Sequence, residues 1–402
     1  MSLRLVRMLC VSMLLFPFRG ALTQSSNRKV DSLLRVADSL RAPGPRSGPD
    51  SALARLRLAV VLESSARVHA SIADAFMGVY AARRMERSAY DSALLHANEA
   101  LRLDPRNVRA LFSRGAAHSL AGQRAGALAD YERVLALDSA HARVAPLLIT
   151  EYYDAGRTRE ALALGERLRV LQPRNFFAQF RLGWAYGYLW DQEKAQQVFT
   201  RMAADSAAGR YRALGHGELA YLARARGDIA AAVSHMEQAV RAAPADRLIV
   251  LGLATMLLTA GDAARGRSLV EAVLAQDSNA VGFGAIPGRL LLGWAARDLS
   301  DTTVARRMFA DVERIVMASS TEGNEQRPML LKVYGLQGRR ADAVVLLRNL
   351  PQLPRDNLYG GPDDHDPTIA SLRGIPEFDA VVAQERVRTN ARRRAMRLSA
   401  LP

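Results

Sequence analysis

"ALFSRGAAHSLAGQRAGALADYERVLALDS", residues 110–139, gains its meaning when it is laid over residues 178–206, "AQFRLGWAYGYLWDQEKAQQVFTRMAADS". Each carries a glycine, Gly115 or Gly183, and an alanine twelve residues later, Ala127 or Ala195. An aromatic follows four residues on, Tyr131 or Phe199, and an Asp-Ser pair lies near the end. The copies repeat with a period of 34 residues. Units of that length run without a gap over 74–107, 108–141, 142–175 and 176–209. A fifth covers 213–246 after the insertion "RYR", a sixth 247–280, a seventh 286–319 after "VGFGA", and a degenerate eighth 324–357. Self-similarity at a fixed period of this size marks a stack of supersecondary units, each burying its apolar face against the next.

The chemistry of the recurring positions says what the units are. Position eight holds Ala81, Gly115, Gly183, Ala220, Ala254 and Gly293, and position twenty holds Ala93, Ala127, Ala161, Ala195, Ala232, Ala305 and Ala343. Small residues at both places let two helices of a unit approach closely. Gly122, Gly156, Gly227, Gly261 and Gly338 fall at position fifteen, where a residue with positive φ ends the first helix. Pro105, Pro173 and Pro244 close the second helix of their units. This pattern resembles the tetratricopeptide repeat. The resemblance implies an all-α, right-handed superhelical solenoid of antiparallel helix pairs that binds protein or peptide in its concave groove. Residues 24–73 read as a degenerate or capping helix pair, interrupted by "APGPRSGPD". Residues 358–402 leave the period and read as a C-terminal cap with a basic tail. Within them "DPTIASLRGIPEF" is similar to the closing segment of such arrays, with Leu372, Phe378 and Val381 expected to face inward.

Composition agrees with a helical chain. Aromatics are only 6% of 402 residues, and runs of β-branched residues are scarce. The net charge of +15 comes almost wholly from arginine, the only lysines being Lys29, Lys194 and Lys332. Such a bias, with so much alanine, reflects coding composition more than a polyanionic partner. The signs also alternate along segments such as "RTREALALGERLRV", which reads as solvated helix face. At the N-terminus Arg4 and Arg7 precede an apolar stretch, Met8–Phe18, too short to span a bilayer, and Ala21 and Thr23 offer small residues before a cleavage point. Residues 1–23 are therefore expected to be a signal peptide of a bacterial protein, periplasmic or secreted, the alternative being an uncleaved membrane anchor. The single cysteine, Cys10, lies inside that segment, so the mature chain would have no disulfide, cysteine metal site or thiol nucleophile.

Motifs for chemistry are missing. There is no Walker A loop, no dinucleotide fingerprint after a strand, no HExxH and no GxSxG. "GFG", 282–284, lacks the preceding strand a phosphate cradle needs and reads as a loop. "DDHD", 363–366, offers oxygen and nitrogen ligands for a cation or is simply a polar turn before Pro367. "RRR", 392–394, is a solvated tail or a contact for an anionic surface such as lipid or cell-wall polymer. It has no interleaved aromatics for base stacking, which argues against nucleic acid. The chain reads as non-enzymatic, with no cofactor, no resident metal and no small-molecule substrate.

The aromatic residues then carry the functional reading. Residues 176–192 hold seven of the chain's aromatics in seventeen positions. Tyr186 falls at a packing position and Trp190 in the turn, which leaves Phe177, Phe180, Trp184 and Tyr188 spaced as one helical stripe. In the repeat family this stripe lines the concave groove. Other units bring Phe112, Tyr153, Tyr221, Arg224, Trp294 and Arg297 to the same face, types enriched at interface hot spots. The same residues packed against the next repeat are the alternative. The family's carboxylate clamp is absent, because its positions hold Phe112 and Ala116, Pro146 and Thr150, Phe180 and Trp184. The expected function is that of a protein- or peptide-binding scaffold or assembly factor; binding of an anionic surface through arginine-rich patches is the alternative.

Overall fold

A computed structural model of the chain describes residues 27–40, 48–82, 87–139, 141–205, 209–283, 286–318, 329–349 and 366–398. The expected signal peptide, residues 1–23, lies outside these residues, as do Asp363, Asp364 and His365 and the side chain of Ala81. The described chain is all-α. It divides into two compact units, Met1–Ala155 and Gly156–Pro402.

Unit 1 contains α1 (27–40), α2 (Pro49–Leu62), α3 (Ala66–Ala82), α4 (Arg87–Leu103), α5 (Val108–Leu120), α6 (Arg124–Leu137) and α7 (Val144–Asp154). Its core gathers Val30, Leu56, Val68, Ile72, Tyr90 and Ala117 from successive helices. Helix α3 begins eight residues before the period would start it, at Ala66, and packs along both α4 and α5. Unit 2 contains α8 (Thr158–Leu171), α9 (Phe176–Tyr188), α10 (Gln192–Ala204), α11 (Gly209–Ala225), α12 (Ile229–Ala242), α13 (Arg247–Thr259), α14 (Ala263–Gln276), α15 (Gly288–Asp298), α16 (Thr302–Ala318), α17 (Met329–Gln337), α18 (Arg340–Arg348) and α19 (Pro376–Ala395). A 3-10 turn, Ala370–Leu372, precedes α19.

The helix pairs form for the reasons the repeat suggests. At position eight a Cβ on Gly115 would stand 2.7 Å from the Tyr131 ring, and one on Gly293 2.9 Å from the Phe309 ring. Gly183 meets Phe199 in the same way. The small residue of the first helix is thus the seat of the aromatic from the second. The turn at position fifteen closes each pair. Gly122, Gly227, Gly261 and Gly338 all have φ between 67° and 83°. After the turn a backbone N–H reaches back to the helix: Gln123 to His118 at 2.8 Å, Asp228 to Ala223 at 2.9 Å, Asp262 to Leu257 at 2.9 Å. These are the six-to-one bonds of a helix end with a left-handed residue after it. In two pairs the position is not glycine, and Trp190 (φ 53°) and Ser300 (φ 60°) take the left-handed conformation all the same.

An acceptor side chain then caps the next helix. Asp191, Asp228, Asp262 and Asp301 each accept the N–H of the residue three positions on, at 3.0–3.2 Å. Asn107 and Asn175 cap α5 and α9 at 3.0 and 3.1 Å. Each such cap contributes about 1 kcal/mol.

The end of unit 2 is covered as expected. Leu372 and Phe378 are buried, and Val381 packs against the same cluster, which also holds Trp294, Leu330, Leu347, Ile369 and Ile375. No described helix is long and apolar enough to cross a membrane.

Candidate functional site

Within unit 1, Phe112 on α5 is buried, its ring 5.8 Å from that of His141 and 6.4 Å from that of Tyr131. The Arg143 guanidinium lies 4.3 Å from the same ring. Tyr153 on α7 is also buried. These two are packed side chains, so the expectation that they line an open groove is corrected. Aromatics at position five point down onto the second helix of their own pair.

In unit 2 the stripe on α9 is divided. Phe180 is buried, 4.9 Å from the Trp184 ring and edge-on to Phe199 at 6.2 Å. Phe177, Trp184 and Tyr188 keep exposed area, Phe177 most of all at 37%. Between the two outer rings lies Arg181, whose guanidinium is 5.0 Å from Phe177 and 5.1 Å from Trp184. Trp184 is oriented by its indole N–H, which donates to Glu218 Oε1 on α11 at 3.0 Å. Tyr186 is core, as its position implied, and its hydroxyl donates to Glu166 at 2.8 Å.

Further along the same face the surface closes. Tyr221 and Arg224 on α11 and Trp294 on α15 are buried, which corrects the expectation that they are open groove. Two segments of the chain itself cover them. The first is the insertion after α14. Val281 and Pro287 form an antiparallel bridge, and Phe283 at its tip lies 5.4 Å from the Tyr221 ring. It occupies the space that side chains at Gly217 and Gly252 would need, a Cβ on Gly217 standing 2.7 Å from the Phe283 ring. Phe283 of "GFG" lies in the loop between α14 and α15, as its context implied, and packs against α11 and α13.

The second covering segment begins at Asp366, the last residue of "DDHD". Its carboxylate accepts from Lys332 Nζ on α17 at 2.6 Å and lies 3.6 Å from Arg224 Nη1. The other oxygen accepts from the Thr368 N–H at 2.9 Å and hydroxyl at 2.6 Å. Burial alone would raise the Asp366 pKa; Lys332 and then Arg224 outweigh it and hold the carboxyl well below the usual carboxylate range. Asp366 is thus committed to protein partners, and among the described residues no cluster of metal-ligating side chains is present. The Tyr221 phenol stands in the same field of Arg224, Glu218, Lys332 and Asp366, and burial pushes its pKa up. Its buried Oη has no hydrogen-bond partner among the described residues.

Arg297 is exposed, pairs with Asp298, and donates to the Leu336 carbonyl on α17 at 2.9 Å. The basic tail is also engaged. Arg393 donates to the Leu189 carbonyl at 2.6 Å, Arg159 to the Ala395 carbonyl at 2.8 Å, and Arg392 faces Glu385 at 3.4 Å. Sequence reading missed Lys332, Glu218, Phe283 and Asp366 as members of this face. Lys332 was within reach, since it stands at position nine of the last unit, the position of Trp184, Tyr221 and Trp294.

Residues 223–281 match the family model described as tetratricopeptide repeat. No curated protein matches the chain. Among solved structures it is similar to a tetratricopeptide repeat protein from Parabacteroides merdae, at 19% identity over 61% of this chain and 92% of that one, with a TM-score of 0.45. It is also similar to YrrB, described as a TPR protein with an unusual peptide-binding site, at 16% identity over 48% of this chain and 95% of that one, TM-score 0.34. Pseudomonas aeruginosa pilF is similar at 18% identity over 62% of this chain and 95% of that one, TM-score 0.36. The matched stretch takes in α12, α13 and α14. Residues 223–281 thus carry a tetratricopeptide repeat, and the small-residue seats, left-handed turns and acidic caps recur in helix pairs outside that stretch.

Proposed function

We propose that this protein is a non-enzymatic binding scaffold that takes a segment of a partner protein on the inner face of its first helices, and that it works after export. The observation that carries this reading is the patch on α9. An arginine lies between two aromatic rings there, and Phe177 stays 37% exposed in a chain poor in aromatics. Aromatic and arginine side chains dominate the energetics of protein interfaces, each contributing about 1–3 kcal/mol when truncated. The patch stands on a capped helix whose neighbours fix Trp184 through Glu218, so little ordering entropy is lost on binding. Export is supported by the basic and apolar pattern of residues 1–23.

The test is affinity capture from the exported fraction of the native cell, comparing wild type with a Phe177→Ala/Arg181→Ala variant. Neither side chain seats a second helix in the way Phe180 and Phe199 do. The variant is expected to keep its helicity and lose a specific protein partner. A folded variant that keeps every partner contradicts the proposal. Mass analysis of the same exported protein should find a mature chain beginning at Gln24, and an intact Met1 there contradicts cleavage.

A further inference from the structure

The face of unit 2 formed by Arg224, Lys332 and Trp294 already holds a peptide segment, namely residues 366–378 of the chain itself. Its first residue brings a carboxylate to two cations, Arg224 and Lys332, on helices α11 and α17. The side chains of Ile369, Leu372, Ile375 and Phe378 follow at three-residue steps and are all buried in the cluster that contains Trp294. Ser371 adds a hydrogen bond to the Gly335 carbonyl at 2.7 Å, and Gly335 has no side chain to keep the Thr368 backbone away. The far end of α19 is then fastened by hydrogen bonds, Arg393 to Leu189 and Arg159 to Ala395, while Val387, earlier in the helix, is exposed.

We propose that this segment is an internal ligand, and that the scaffold's partner presents a segment of the same chemistry: an aspartate for Arg224 and Lys332, followed by apolar side chains at steps of three. The proposal rests on the reading of the inner face as the partner surface and names the partner's recognition element. Charge complementarity supports it. Arg224 and Lys332 are both buried, and a carboxylate from any occupant meets the same two cations. Exchange is physically reasonable because a buried ion pair adds little net stability over its desolvation cost. The internal segment's advantage is chiefly its high effective concentration. A partner that also reaches Phe177 and Trp184 offsets that advantage, since Phe177 remains exposed with the internal segment in place.

The experiment uses a fluorescein-labelled synthetic peptide of residues 366–382 and the full-length protein. Anisotropy is followed on titration with wild type and with the Asp366→Asn variant, after circular dichroism has shown both to be folded. The weakened internal segment should let the variant bind the peptide at least ten times more tightly than wild type does. The same peptide carrying Asp366→Asn should bind that variant at least ten times more weakly. If the Asp366→Asn protein does not fold, Ser371→Ala serves instead, since it removes one hydrogen bond and leaves the ion pairs, and the same order of affinities is expected. A folded variant that binds the peptide no better than wild type overturns the proposal. So does a concentration-dependent dimer of the variant with no peptide binding, which would make a second copy the occupant. The peptide readout does not involve Phe177 or Arg181. Peptide binding without loss of a partner in the capture experiment would therefore sink the α9 patch and leave the internal ligand standing.

Discussion

At the scale of the residue, position fifteen isolates one backbone term. Ser300 adopts φ 60° at a place where other pairs have glycine, and it is exposed, so its side chain packs little. A left-handed conformation costs a non-glycine residue about 1–2 kcal/mol. Ser300→Gly is therefore expected to stabilise unit 2 by about 1 kcal/mol in urea unfolding; no change would show that the turn strain is relieved in some other way. Trp190 is less clean, because its half-buried indole contributes packing that glycine would lose. Position eight gives the opposite sign. Phe199 is fully buried against Gly183, so Gly183→Ala leaves the ring no free direction to move and should destabilise by about 1–3 kcal/mol. A neutral result would show that α9 and α10 are further apart than described. Histidine pairs add a pH term. His96 is held down by burial and by His69, whose Nδ1 is 2.9 Å from its own. His216 and His235 are held down mainly by burial. Folded-state values below the unfolded value of about 6.5 mean that the unfolded chain binds more protons as pH falls. The associated stability is whole above about pH 6.5 and is lost progressively below it. The melting temperature should fall between pH 7 and pH 5, and His96→Phe should flatten part of that slope.

At the scale of the element, the period of 34 was enough to place most helices. From 108 onward the first and second helices start and stop near where the small residues, glycines and prolines put them. Those signals are local: a seat for a ring, a left-handed turn, a missing N–H. Each acts within one helix pair and can be read without knowing what lies opposite. The caps Asp191, Asp228, Asp262 and Asp301, which the sequence reading passed over, recur at position sixteen and follow the same local logic. The face that carries Trp184, Tyr221 and Trp294 was only partly legible. Periodicity put Trp184, Tyr221 and Trp294 on one face, and that placement is compatible with the contacts of Trp184 to Glu218 and of Tyr221 to Phe283. It could not say that Phe283 and Asp366 would cover the face, because those contacts join residues far apart in the chain and depend on how several helix pairs stack. Asp366 lies 142 positions after Arg224, and no pattern in the intervening sequence links them. At this scale the caps predict that Asn175→Ala costs about 1 kcal/mol of stability. Urea unfolding checks it, and a cost near zero would mean that α9 is held at its N-terminus by something other than the Asn175–Ala178 bond.

At the scale of the whole molecule, many arginines are engaged locally. Arginines pair across neighbouring helices, as Arg114 with Asp130, Arg267 with Asp301 and Arg339 with Glu313 do, and Arg393 and Arg159 bind backbone carbonyls. The molecule is a stack of helix pairs whose second unit is finished by its own C-terminal segment. Asp366 makes that finish sensitive to acid. Its folded pKa is depressed below the unfolded value of about 3.9, so the stability it brings is present above about pH 4 and lost as the carboxyl protonates below that. The segment stays docked across the neutral range, and release there calls for a competing ligand.

Native-state hydrogen exchange of the full-length protein at pH 7, read by mass spectrometry over residues 366–395 and 217–224, tests this account most directly. The account predicts that amides of 366–378 and of α11 around Arg224 are protected, and that Lys332→Met loosens both together while leaving α4 to α6 unchanged. Exchange of residues 366–378 in wild type at the rate of an unprotected peptide would contradict it, because Arg224, Lys332 and the apolar cluster around Trp294 would then stand open with no internal ligand in place.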